Sequence, residues 1–246
     1  NQIRDAITAL SDFHLTSHPL HTKRVIKLGE HPSKVITVGE PTLNRLLKKI
    51  NGAKGNISNE ESKEKFVLCT FHSSTLDKLT YEEQAINIVS MLNLIPFKIL
   101  ITYPNMDEGS KIIHHALEEF SRSNKEKVSY LSNLGEKYHE LMMGCYFVFG
   151  NSSSGILEAG MAGKVSINVG DRQDGRLSSK SVIHIPYSPD KFKQVLSNMD
   201  KTIKSLKARD YISPYFKEDC LSLIKDFTCT ICQNDTLNKI KFKNFN

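Results

Sequence analysis

Apolar and polar positions along the chain follow two alternating periods. Short runs rich in β-branched and aromatic residues have the length of buried strands, and segments with apolar residues three and four positions apart lie between most of them. The strand-like runs are residues 34–39, 65–72, 97–104, 127–131, 145–150, 165–170 and 181–185, and helix-like segments include 81–92, 109–122 and 135–143. This alternation predicts an α/β fold built on a parallel sheet whose two faces are covered.

Four of the predicted strands end in loops rich in hydrogen-bond donors. The loop sequences are "HSSTLD" after Phe71, "PNMDEGS" after Tyr103, "GNSSSG" after Phe149 and "GDRQDGR" after Val169. A single polar loop is ordinary protein surface. Ligands of open parallel sheets bind beyond the carboxyl ends of the strands, so four such loops at one edge indicate a binding site.

The "GNSSSG" loop has the composition of a phosphate cradle. Gly150 and Gly155 permit sharp turns, the serines supply hydroxyl groups, and a helix predicted from Ile156 presents free backbone N–H groups. These features predict binding of a diphosphate. Simple N-capping of that helix by Ser153 or Ser154 is the alternative.

Two better-known motifs are excluded by their register. A Walker loop requires Lys and then Ser or Thr after its second glycine, where this chain has Ile156 and Leu157. A nucleophile elbow that began at Gly150 would need glycine in place of Ser154. The loop therefore predicts binding rather than either of these chemistries.

Charged residues near this loop extend the prediction. A capping box from Ser154 would place its acid at Leu157, so capping does not explain Glu158, whose carboxylate could accept hydrogen bonds from ribose hydroxyls. Arg172 and Arg176, two of only seven arginines, fall in one loop, and a guanidinium matches phosphate oxygens. A surface salt bridge is the alternative for each arginine.

Composition narrows the class of protein. Hydrophobic residues make up 39% of the 246 residues, which suffices for a core. The net charge is +6, but acidic and basic residues are interspersed, so we expect an anionic ligand rather than nucleic acid. No run approaches the roughly 18 apolar residues of a membrane span, and the first residues lack a signal-peptide pattern, so we expect no membrane association and a cytoplasmic location.

The five cysteines indicate reduced thiols rather than a disulfide framework in a chain of this length. Cys229 and Cys232 form a CxxC pair, but no two further ligands follow at close spacing. We therefore expect no metal site.

The stretch "FGNSSSGILEAGMAGKVSINVGDRQDGR", with "TFHSSTLD" and "TYPNMDEGS" before it, resembles the hydrolysing UDP-N-acetylglucosamine 2-epimerases. The resemblance runs from near Asn1 to about Phe227. Two positions depart from the family pattern: Lys164 stands where proline is usual, and Ser73 follows His72 where proline is common. Neither departure removes a ligand.

The resemblance implies the C-terminal half of a two-domain fold of glycosyltransferase B type, with a Rossmann-like parallel sheet. Residues 1–40 would be a remnant of the N-terminal Rossmann-like domain, 41–228 the nucleotide-binding domain with a C-terminal helix, and 229–246 a basic tail. The acid and base carboxylates of the family lie largely in the other half, so we expect this chain to be inactive alone.

The resemblance also assigns roles to individual residues. His72 is the candidate catalytic residue, although a lone histidine is often structural, and Asp107 could equally be a helix cap. The candidate substrate-binding residues are Ser152 and Ser153 on the diphosphate, Glu158 on the ribose, Arg172 near the phosphates, and Asn105 and Asp107 in a loop close to the ligand.

By the same resemblance, the enzyme removes the C2 proton of a UDP-amino sugar as UDP departs, adds water, and releases the 2-epimerised sugar for sialic-acid-type nonulosonate synthesis. It needs no cofactor, its ligands are UDP and the UDP-amino sugar, and we expect a homo-oligomer. Two alternatives remain open, since fold alone does not decide function. They are a UDP-sugar-dependent glycosyltransferase of the same fold and a noncatalytic nucleotide-sugar sensor.

Overall fold

The computed structural model describes residues 2–53, 64–75, 77–132, 134–135 and 137–233. Most of the predicted basic tail, residues 234–246, lies outside these ranges, and the described part of that tail is the end of a helix. Within the described ranges, no helix combines the length and hydropathy needed to cross a membrane.

The chain alternates helices and strands over most of its length. The helices are α1 Gln2–Leu10, α2 Pro19–Lys27, α3 Pro41–Ala53, α4 Tyr81–Asn93, α5 Ser110–Ser123, α6 Lys137–Gly144, α7 Ser153–Leu157, α8 Pro189–Ser197, α9 Met199–Ser205 and α10 Cys220–Gln233. The strands are β1 His14–Thr16, β2 Val35–Thr37, β3 Phe66–Thr70, β4 Lys98–Thr102, β5 Val128–Leu131, β6 Phe147–Gly150, β7 Ser166–Val169 and β8 Val182–Ile185. Short 3-10 helices cover Pro32–Lys34 and Ala208–Tyr211.

All strands in the described residues pair in parallel. Strands β1 and β2 form a small sheet, and the other six form a sheet with the order β5-β4-β3-β6-β7-β8. All seven predicted strands are present, which confirms an α/β fold with a Rossmann-like parallel sheet. Strand β1 was not predicted, because three residues are too short a run to show a period.

Alternate strand residues enter different parts of the core. Val67 and Cys69 of β3 belong to a larger apolar cluster with α4 and α5, whereas Leu68 between them joins a smaller cluster with α6. Phe149 continues the larger cluster, where its ring stacks on Phe192 with centroids 4.3 Å apart. Both faces of the sheet are thus covered, as continuous apolar strands require.

The described residues divide into two compact units. The first joins the residues up to Arg45 with those from Tyr215 onward, and the second is Leu46–Pro214, which contains the six-stranded sheet. In the first unit, the Asn44 side chain donates hydrogen bonds to the carbonyls of Lys217 and Glu218 (3.0 and 3.1 Å), which explains why the last helix groups with the N-terminal residues. The division of the sequence at residue 40 into domains stays a prediction.

A glycine at the end of β6 permits a very close backbone approach. Gly150 has a φ of +146°, and a Cβ atom there would lie 1.9 Å from the carbonyl oxygen of Thr70 in β3. The next residue, Asn151, donates its backbone N–H to that same oxygen at 3.1 Å. Only glycine fits this position without moving the two strand ends apart.

Gly150→Ala should therefore lower the free energy of unfolding by about 3 kcal/mol or more, because the new methyl group overlaps backbone. The control is Gly163→Ala, where φ is +72° but a Cβ meets no atom within 4 Å, so only the conformational cost of about 1 to 2 kcal/mol applies. Urea denaturation of both variants measures the difference. Equal losses at the two sites would contradict the close approach.

Candidate functional site

Asn151 lies fully buried at the centre of the loops that follow the strands. Its side-chain Oδ1 accepts a hydrogen bond from the backbone N–H of His72 at 2.8 Å, and its Nδ2 donates to the carbonyl oxygen of His72 at 2.8 Å. One amide thus satisfies both backbone groups of a residue in a neighbouring loop, which fixes the loop after β3 against the loop after β6.

The backbone of Asn151 is held equally firmly from the loop after β7. Its carbonyl oxygen accepts from Gln173 Nε2 at 2.7 Å and from Arg172 Nη1 at 3.2 Å. Its Nδ2 also donates to the Tyr187 hydroxyl at 3.1 Å. Of these residues, the sequence predicts a role only for Arg172. The sequence does hold one clue to Asn151. It is an amide directly after Gly150, and an amide side chain can both donate and accept hydrogen bonds.

His72 is almost completely buried, and its ring is fixed by a second loop. The backbone N–H of Asn105 donates to His72 Nδ1 at 3.0 Å, so the hydrogen of a neutral ring must lie on Nε2. Burial, and to a smaller extent the charge of Arg172, lower the pKa of His72 to about 4, although Asp107 acts in the opposite direction. At neutral pH His72 is therefore an uncharged ring whose Nε2–H is available to a hydrogen-bond acceptor.

Arg172 and Asp107 form an ion pair. Arg172 Nη2 lies 3.6 Å from Asp107 Oδ2, and the arginine side chain is 23% exposed against 55% for the aspartate. Burial lowers the pKa of Arg172, Asp107 raises it, and Arg176 lowers it again, but a guanidinium stays charged at neutral pH. The carboxylate is half exposed, so this pair contributes little stability. The structure thus places Asp107 beside Arg172 and Asn105 beside His72.

The serine loop begins its helix earlier than predicted. Helix α7 starts at Ser153 rather than Ile156, and its N-cap is Ser152 rather than Ser153 or Ser154. Ser152 has an extended backbone, and its Oγ accepts from the N–H of Ser154 at 3.4 Å and from the Ser154 hydroxyl at 3.1 Å. The run of three serines left the capping position ambiguous, because each of them can cap.

Glu158 follows the last residue of α7 and is its C-cap, so it does not lie inside a longer helix as the sequence suggested. The carboxylate Oε2 lies 3.3 Å from Nε2 of His139 in α6. The exposed fractions of the two side chains are 18% for His139 and 16% for Glu158. His139 was not predicted, since nothing in the periodicity of α6 distinguishes it from an ordinary helical residue.

The loops together carry groups suited to different parts of one ligand. Arg172 is a cation and His72 Nε2 an uncharged donor, which suit an anion, whereas the Glu158 carboxylate suits vicinal hydroxyls. Among the residues that the structure describes, no group of three or more His, Cys, Asp and Glu side chains could hold a metal ion.

A sequence model of the protein family described as UDP-N-acetylglucosamine 2-epimerase matches residues 1–227. The chain belongs to this family. The match covers the loops described above and confirms the resemblance of the serine loop and its neighbours to these enzymes.

Two relatives of known name are longer than this chain. A Campylobacter jejuni protein named GDP/UDP-N,N'-diacetylbacillosamine 2-epimerase (hydrolyzing) is 28% identical over 86% of the chain and 54% of its own length. The Escherichia coli polysialic acid biosynthesis protein P7 is 30% identical over 92% of the chain and 59% of its own length. The chain therefore spans little more than half of these relatives.

Solved structures of the same family share the fold. The Methanocaldococcus jannaschii UDP-GlcNAc 2-epimerase, solved in complex with UDP-GlcNAc and UDP, matches with a TM-score of 0.66 at 15% identity. The match covers 90% of this chain and 62% of that one. The roles of the individual site residues in this member of the epimerase family stay predictions.

The protonation of His72 predicts a pH dependence of stability. The folded pKa of about 4 lies below the ordinary value of 6.5, so the unfolded chain binds a proton between these values that the folded chain does not. The free energy of unfolding should therefore fall as the pH drops from about 6.5 to about 4. Below that window the contribution of His72 should no longer change.

His72→Gln should show a smaller fall across this window, measured by urea denaturation at several pH values. The matched control is His115→Gln, which changes a histidine that is 69% exposed on α5. An unchanged pH profile in His72→Gln would mean that His72 is not buried in its neutral form.

Proposed function

We propose that this chain is the UDP-binding part of a hydrolysing UDP-N-acetylglucosamine 2-epimerase. Its substrate would be UDP-N-acetylglucosamine or a diacetamido analogue, and its products the 2-epimerised free sugar and UDP, for sialic-acid-type nonulosonate synthesis. The observation that carries the proposal is the junction at Asn151, where hydrogen bonds bring His72 and Arg172 to the serine loop. The names of the two relatives support the hydrolysing reaction and the nonulosonate connection.

In this proposal four residues hold the nucleotide. Ser152, Ser153 and Arg172 bind the diphosphate, and Glu158 accepts hydrogen bonds from the ribose. Without ligand, Arg172 is paired with Asp107 at 3.6 Å. A bound diphosphate would replace Asp107 as the anionic partner of Arg172. An exchange of one anion for another keeps the guanidinium paired both with and without ligand.

The geometry of His72 favours one catalytic role over another. A general base at Nε2 would need its hydrogen on Nδ1, where it would face the N–H of Asn105. Two donors would then oppose each other at 3.0 Å, so His72 cannot easily serve as the base. Instead, its Nε2–H can donate to the departing diphosphate, which stabilises the charge that develops in the transition state.

The proposed reaction has two stages, elimination of UDP and addition of water. A base removes the C2 proton, the electron pair forms the C1–C2 double bond, and the C1–O bond breaks with its electrons leaving on UDP. Water adds at C1, and a proton returns to C2 from the opposite face. The base must lie within about 3 Å of the C2 proton, and by the family resemblance it belongs largely to the other half of the enzyme.

Turnover of the complete gene product in deuterated water tests this function. With UDP-N-acetylglucosamine or its 2,4-diacetamido analogue, we expect UDP release and solvent deuterium at C2 of the released, inverted sugar. The 246-residue chain alone should release no UDP. Sugar released without deuterium at C2 would contradict the epimerase. Transfer to an added acceptor would favour the glycosyltransferase, and binding without turnover the sensor.

A second prediction concerns the diphosphate. Arg172→Lys keeps the charge but loses the planar fork, so it should weaken UDP binding by about tenfold. Asp107→Asn removes the competing carboxylate and should strengthen UDP binding by a few-fold. Calorimetry of the complete protein measures both, with Arg122→Lys on the exposed face of α5 as the control. If Arg172→Lys binds UDP like wild type, a bidentate phosphate contact is wrong.

A further inference from the structure

Two adjacent residues of α6 hold the two ends of α7. The Tyr138 hydroxyl lies 2.6 Å from Ser154 Oγ in the first turn of α7, and His139 Nε2 lies 3.3 Å from the Glu158 carboxylate at its other end. A helix of five residues is too short to be stable on its own. Its orientation therefore depends on neighbouring elements, which include the adjacent strands β6 and β7 as well as these two side chains of α6.

The direction of the His139–Glu158 hydrogen bond follows from the chemistry of the carboxylate. An ionised carboxylate only accepts, so His139 Nε2 must carry the hydrogen and donate. More than four-fifths of each side chain is buried, which strengthens a charge-assisted hydrogen bond. Among the described residues, the other ring nitrogen, Nδ1, is buried without a hydrogen-bond partner. The contact with Glu158 is thus the polar interaction through which this ring acts.

We propose that His139 is a positioning residue that orients Glu158 for the ribose diol and thereby sets the preference for ribonucleotides over 2′-deoxyribonucleotides. The inference rests on the proposed function, in which Glu158 accepts from the ribose hydroxyls. A glutamate beyond the last turn of a short helix has several rotamers, and holding one of them in advance reduces the entropy cost of binding. A carboxylate has about four lone-pair sites, so the donor on Oε2 does not by itself saturate it.

A purely structural role for His139 predicts a different result. If the ring only packs α6 against α7, its removal should weaken UDP and 2′-deoxy-UDP alike. If it positions Glu158, its removal should weaken UDP but leave 2′-deoxy-UDP almost unchanged, because the deoxy ligand lacks one of the hydroxyls that Glu158 binds. The ratio of the two dissociation constants therefore separates positioning from packing.

The experiment measures the affinities of UDP and 2′-deoxy-UDP for the complete gene product by calorimetry. Wild type should prefer UDP by about tenfold or more, and Glu158→Gln should lose most of that preference. His139→Phe keeps a ring but no donor, and His139→Asn keeps polarity but is too short to reach Glu158. Both variants should lower the preference about three- to tenfold. His139→Gln, whose longer amide can donate, should retain most of it.

The control is His115→Gln, since His115 pairs with Glu119 at a similar distance of 3.4 Å on the exposed face of α5. This variant should keep the wild-type ratio. A wild-type ratio in both His139→Phe and His139→Asn, or an equal loss for the two nucleotides, would overturn the role of His139. If wild type itself does not distinguish the two nucleotides, the ribose role of Glu158 in the proposed function is wrong, and the positioning role falls with it.

Discussion

The close approach of two strand ends determines the geometry of the whole site. At the end of β6, Gly150 lets the backbone come so near to Thr70 that a side chain could not be accommodated. Asn151 therefore lies next to the loop that follows β3, where its side-chain amide forms hydrogen bonds with both backbone groups of His72. Arg172, Gln173 and Tyr187 also form hydrogen bonds with the same asparagine. A larger residue at position 150 would displace all of them together.

The strand order explains why the junction lies between β3 and β6. From β3 the chain moves outward to β4 and β5, and then returns to add β6 on the other side of β3. The connections that leave β3 and β6 therefore run in opposite directions and open a crevice between the two strand ends. The histidine, the asparagine and the serine loop all border this crevice. The position of the site is thus a consequence of topology as much as of composition.

Much of this arrangement could be predicted from sequence, because strands and helices leave periodic signals and because loops of parallel strands meet at one edge. The seven strands could be predicted in this way, as could the polar segments after β6 and β7 that contain Glu158 and Arg172. Side-chain partnerships leave no such signal. His72 and Asn151 are 79 positions apart, and their pairing depends on the order of the strands. The cap at Ser152 and the His139–Glu158 contact were missed for the related reason that chemically similar neighbours look alike in sequence.

The ion pair between Arg172 and Asp107 has a consequence for the electrostatics of binding. At an unpaired, solvent-exposed guanidinium, dissolved anions compete with an anionic ligand. The affinity for the ligand then falls as the salt concentration rises. Here a tethered carboxylate already occupies the place of those anions. Screening weakens the resident pair and the pair with an incoming anion in the same direction, so the two effects partly cancel. The affinity of an anion that replaced Asp107 at Arg172 would therefore depend less on ionic strength.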